Sequence, residues 1–165
     1  MNSSELKQIQ APLKDRYRSD PDAAFVTLKA VGKPGEGITC SLETGRTLAK
    51  AGLHPLTGGD GLSLCSGDML LEALTACAGV TLNAVASAID FKYSDATVTA
   101  EGDLDFRGTL AVDREASVGF VSIRLRFDIE TEETKERLQT LIRLTERYCI
   151  VYQTLNRANK IEVSY

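Results

Sequence analysis

Residues 66–89 read SGDMLLEALTACAGVTLNAVASAI, and this stretch decides the fold. Ser66 is a good N-cap residue, and Asp68 in the first turn complements the positive end of a helix dipole. From Met69 to Ile89 apolar residues and alanines fall on almost every face. A helix of that kind belongs in the middle of a domain or an oligomer. Upstream of it, Phe25–Val31 and Ile38–Leu42 read as strands joined by a hairpin-like turn over 32–37. Arg46–Lys50 reads as a third strand, and 51–66 as a glycine-rich loop. The first twenty-odd residues form a short polar helix ending before Pro21.

Downstream, Val98, Ala100, Leu104 and Phe106 are evenly spaced. Val121, Ile123, Leu125, Phe127 and Ile129 alternate with Ser122, Arg124, Arg126 and Asp128, a half-buried antiparallel pattern. Residues 107–117 read as a long hairpin turn between these two strands. Thr131–Glu133 open a second long helix whose inner face is Leu138, Leu141, Ile142, Thr145 and Cys149. Ile161–Tyr165 is expected to close as a last strand. The order predicts one α+β domain over 1–165, with 1–22 as an N-terminal extension and antiparallel sheet packed on two long helices.

A chain of 165 residues with 43% hydrophobic and 25% charged residues has the composition of a globular domain. The net charge of −4 provides no basic patch, which argues against a nucleic-acid partner. No run reaches the roughly 18 consecutive apolar residues of a membrane span. The polar N-terminus lacks the apolar core of a signal peptide. Cytoplasmic placement is the expectation, and with it free thiols at Cys40, Cys65, Cys77 and Cys149. No Cys-x-x-Cys pair occurs and His54 is the single histidine, so no metal or cofactor site is expected. Gly58-Gly59-Asp60-Gly61 lacks the lysine and hydroxyl of a phosphate loop.

The cysteines differ in what the sequence says of them. Cys77 lies about 16 Å from the start of its helix at 1.5 Å per residue, beyond the reach of that helix's dipole. Its apolar neighbours Ala73, Leu74 and Val80 would raise its pKa, as for a packed core cysteine. Cys65 sits just before the helix, where free backbone N–H groups favour a thiolate, and is an alternative redox thiol. Cys40 alternates with Thr39 and Ser41 as a structural strand residue. Cys149 faces inward with Leu138 and Ile142. Asp68 and Glu72 are possible supporting acids, although they fall about 180° and 140° around the helix from Cys77. Lys33, Arg16, Arg18 and Arg46 are possible cations beside a thiolate, and His54 is a further possible supporting residue.

The stretch SGDMLLEALTACAGVTL at 66–82 resembles the central helix of the OsmC/Ohr family, and ERYCIVYQTL at 146–155 resembles its second cysteine motif. The resemblance implies an intertwined homodimer with active sites at the subunit interface. It further implies a thiol-dependent peroxidase acting on organic hydroperoxides in stress defence. Cys77 would attack the peroxide, Cys149 would resolve the product, and a dithiol reductant would restore both. The family's usual glutamate falls on Gly67, its early-loop arginine has only Lys33 as nearest cation, and Ile150 replaces its proline. The sequence therefore resembles the broader OsmC-like branch more than the hydroperoxide resistance proteins. The alternative is a small-molecule binding or redox-sensing protein without efficient turnover.

Overall fold

The computed structural model describes residues 3–34, 40–42, 51–62 and 64–164. Its elements run α1 (Ser3–Ser19), β1 (Phe25–Pro34), β2 (Cys40–Leu42), β3 (Ala51–Gly52), β4 (Leu64–Cys65) and α2 (Ser66–Ala88). They continue with β5 (Asp95–Asp105), α3 (Phe106–Thr109), β6 (Phe120–Glu130), α4 (Lys135–Tyr148) and α5 (Ile150–Leu155). The main sheet has the strand order β2-β1-β5-β6, and β3 pairs with β4 in a second, parallel ladder. Ser94 meets Glu130 near one end of the β5–β6 pair and Asp103 meets Ser122 near the other, so these strands run antiparallel. The chain is thus α+β.

Two compact units divide the chain. The first comprises Met1–Ala30, Thr44–Leu71 and Ala100–Arg124. Tyr17, Leu71, Leu104, Phe106 and Leu110 are buried in it. Tyr17 ties α1 down, its hydroxyl donating to the Leu56 carbonyl at 2.7 Å. Gly102 leaves room for a neighbour's ring: a Cβ there would lie 2.4 Å from Phe120 Cε1. Asp103 accepts from Thr27 Oγ1 at 2.7 Å, from Ser122 Oγ at 2.6 Å and from the Arg124 guanidinium. Asp105 caps α3 through the Arg107 N–H at 3.0 Å and also pairs with that residue's guanidinium at 2.6 Å.

The second unit comprises Val31–Glu43, Glu72–Thr99 and Leu125–Tyr165. Its core joins Ala78, Leu82, Val85 and Ala86 of α2 to Phe91, Val98, Leu141 and Cys149. The α2 helix is long and apolar enough to cross a membrane by length and composition. Leu71, Leu74, Ala78 and Leu82 are nevertheless buried within the protein, and Glu72 and Asn83 are buried polar residues on the same helix. A helix at the core of the fold satisfies both facts. Asp90, at φ 50, ends α2 in the left-handed conformation usual past a helix C-terminus. Arg137 donates to the Asp90 carbonyl at 2.8 Å, placing a cation where the helix dipole favours one.

Three local expectations change. Gly32, Lys33 and Pro34 are not a turn but the end of β1, paired with Leu42, Ser41 and Cys40. The expected strand at 46–50 and residues 35–37 of the expected turn lie outside the described residues. The second long helix starts at Lys135, not Thr131, because Thr134 caps it by accepting from the Arg137 N–H at 3.3 Å. Thr131 instead donates to the Lys92 carbonyl at 2.6 Å. No last strand forms among the described residues: 160–164 carry no regular structure, and Ile161 and Val163 are exposed.

Candidate functional site

Cys77 lies near the middle of α2, and Cys149 separates α4 from α5. Both belong to the second unit, Cys149 within its buried core and Cys77 packed against that core. Cys149 leaves helical geometry at φ −71, ψ 108 and serves both helices. Its N–H donates to the Thr145 carbonyl at 2.9 Å, closing α4. Its sulfur accepts from the Tyr152 N–H at 3.5 Å, capping α5. The residue is fully buried while Cys77 is half-buried.

The break at Cys149 frees donors. The first N–H groups of any helix have no acceptor within it. Those of Ile150 and Val151 find the Cys77 sulfur. Thr81, one turn further along α2, adds its hydroxyl, and Cys149 adds its S–H. Burial is the largest single influence on Cys77 and by itself would push the thiol up; the hydrogen bonds together outweigh it, holding Cys77 below the ordinary thiol value.

The partner moves the other way. Burial first, then the hydrogen bond to Cys77 and the Cys77 charge, push Cys149 up to about 11, against the opposing N–H groups of Tyr152 and Val151. The pair therefore favours a thiolate at Cys77 and a thiol at Cys149. That is the charge distribution a nucleophile and a reserve thiol need.

The remaining sequence candidates sit elsewhere. Cys65 ends β4, immediately before α2, as a half-buried free thiol in the first unit. His54 caps the 3-10 turn at Pro55–Thr57, its Nδ1 accepting from the Leu56 N–H at 3.1 Å. Asp68 occupies the first turn of α2, and its charge acts on His54. Glu72 is buried in α2 at 5% exposure. Arg18 pairs with Asp15 at 2.7 Å, and Lys33 lies in β1 opposite Ser41. Arg46 is outside the described residues. Cys65, His54, Asp68, Glu72 and Arg18 are not among the groups that act most strongly on Cys77. Among the described residues, no group of three or more His, Cys, Asp or Glu could hold a metal.

Sequence reading missed Thr81, Ile150 and Val151. The four-residue step from Cys77 to Thr81 on one helix was the available signal for the first. For Ile150 it was the appearance of an N–H-bearing residue where the resembled motif has proline.

A family model described as OsmC-like protein matches residues 58–164, most of the chain and both cysteines. The chain belongs to the OsmC-like family. A solved structure of an OsmC-like hydroperoxide resistance protein from Jannaschia sp. CCS1 superposes with a TM-score of 0.63. The two are 18% identical, and the match covers 84% of this chain and 91% of that one. At that identity the likeness establishes a shared OsmC-like fold. Comparison with curated proteins gives no match.

Proposed function

We propose that this OsmC-like chain is a thiol-dependent peroxidase that reduces organic hydroperoxides, with Cys77 attacking and Cys149 resolving. The observation that carries this reading is the hydrogen-bonded thiol pair with its opposed acidities. The Cys77 thiolate attacks the terminal oxygen of the hydroperoxide; the O–O bond breaks, and the alkoxide leaves as the alcohol once protonated. Cys77 is then a sulfenic acid and no longer anionic. The part of the Cys149 shift caused by the Cys77 charge goes with it, which frees the second thiol to react. Cys149 sulfur attacks the sulfenic sulfur, water leaves and a disulfide forms. A dithiol reductant returns both thiols.

The same reading makes the protein a cytoplasmic homodimer of one domain per chain, working without a cofactor. Stopped-flow mixing of reduced protein with cumene hydroperoxide tests the chemistry. Fast oxidation is expected in the wild type and lost in Cys77→Ser. Cys149→Ser should keep the first oxidation and lose turnover with dithiothreitol. Wild-type oxidation no faster than that of free cysteine would sink the peroxidase and favour the binding or sensing role. Light scattering in solution tests the dimer.

A further inference from the structure

The first unit carries an open cavity of about 360 Å3 that the proposed peroxidase chemistry does not use. At about 30 Å3 per water-sized unit it has room for roughly a dozen of them. That lies at the lower end of small-ligand sites. Leu70, Leu104, Phe106 and Phe120 supply apolar wall, and His54 and Cys65 bring an imidazole and a thiol to the same space.

The His54 ring is fixed in position and in tautomer. Its Nδ1 accepts from the Leu56 N–H at 3.1 Å, so the neutral ring carries its proton on Nε2. The ring packs against Phe106 with centroids 5.0 Å apart. Burial holds its pKa below the ordinary value, against the Asp68 charge, which keeps the neutral form at pH 7. A mostly apolar wall, which also carries Thr57, Ser66 and Thr109, therefore holds an imidazole N–H donor and a soft nucleophile.

We propose that this cavity is a second site, one that takes α,β-unsaturated carbonyl compounds carrying an alkyl or aryl tail and captures them on Cys65. The tail lies on the apolar wall, Nε2–H meets the carbonyl oxygen, and the thiol meets the electrophilic β-carbon. A sulfur–carbon bond forms as the C=C π bond breaks, and its electrons pass into an enolate hydrogen-bonded to His54. The thiol proton ends on the α-carbon. The product is a saturated thioether aldehyde or ketone, and no oxidant or reductant is consumed.

The probe is trans-2-nonenal, added to the reduced full-length protein at neutral pH. The adduct is fixed with borohydride and read cysteine by cysteine by mass spectrometry. Cys65 should react about tenfold or more faster than free cysteine, the gain available from one added hydrogen bond and apolar contact. Its rate should saturate with nonenal and fall when 1-nonanol competes. His54→Asn keeps an acceptor for the Leu56 N–H but loses Nε2–H, and should slow capture about three- to tenfold. A rate linear in nonenal, or the same acceleration over free cysteine for tailless acrolein, overturns the proposal. The nonenal–acrolein comparison uses the wild type and so stands even where the variant fails to fold. Cys65→Ser should retain full hydroperoxide turnover, which separates failure here from failure of the peroxidase reading.

Discussion

Cys149 donates its S–H to the Cys77 sulfur, and this one contact helps lower the pKa of the acceptor while raising that of the donor. Alkylation reports it directly. Iodoacetamide rates across pH, read per cysteine, should show Cys77 ionising below the ordinary thiol value. Cys149→Ser keeps a hydroxyl donor and should leave that profile nearly unchanged. Cys149→Ala and Thr81→Val each remove a donor and should slow Cys77 alkylation at pH 7 roughly three- to tenfold. Equal profiles for Cys149→Ala and wild type would show that the contact does not set the reactivity.

Cys149 also predicts how stability changes at alkaline pH. Its folded pKa is raised from 9.0 to about 11, so the native state binds its proton more tightly than the unfolded chain does. The resulting stability is full below the unfolded value and is lost as pH rises towards about 11. Chemical denaturation of the reduced protein between pH 8.5 and 11 should show a decline on the order of 2 kcal/mol. Cys149→Ser should lack that decline.

Tyr17→Phe deletes only the hydroxyl that reaches the Leu56 carbonyl. The expected loss is about 1 kcal/mol, with more for the stranded acceptor if no water replaces it. Faster hydrogen exchange along α1, with α4 unchanged, would place the effect at this tether.

Leu141→Ala opens a hole in the second core, where Leu141 is fully buried beside Leu82 and Val98. A cost of about 2–5 kcal/mol is expected by urea denaturation, the usual range for a buried leucine. A cost under about 1 kcal/mol would mean that α4 does not pack as described.

Arg124, Ser122 and Thr27 together hold the Asp103 carboxyl well below the usual range. Its contribution to stability is present above the unfolded pKa and disappears as pH falls through the lower folded value. Asp103→Asn should therefore melt below wild type at pH 7, and the two curves should converge in strong acid. A constant gap across the acid range would contradict the assignment.

The sequence made α2 legible because an all-round apolar helix has few places to go. The strict alternation in Val121–Ile129 likewise fixed β6, and the return of Cys149 to the Leu138 and Ile142 face placed it inward. The helix break at Cys149 was not legible, since cysteine is not among the strong capping residues. With the break went the backbone donors that lower the Cys77 pKa. Reading α2 alone gave Cys77 nothing but apolar neighbours, whereas its donors come from Thr81 and from the start of another helix. Ile161–Tyr165 shows the opposite error: β-branched residues suit a strand, yet residues 161–164 acquire no strand partner.

The position of Cys149 at the end of α4 has a mechanical result. A bond from there to the middle of α2 would close a loop of roughly 70 residues, worth about 4 kcal/mol by restriction of the unfolded chain. Each oxidation would staple the protein and each reduction would release it. Resistance to heat would then rise and fall with every turnover, so a melting curve could read the redox state of a population without any chemical label.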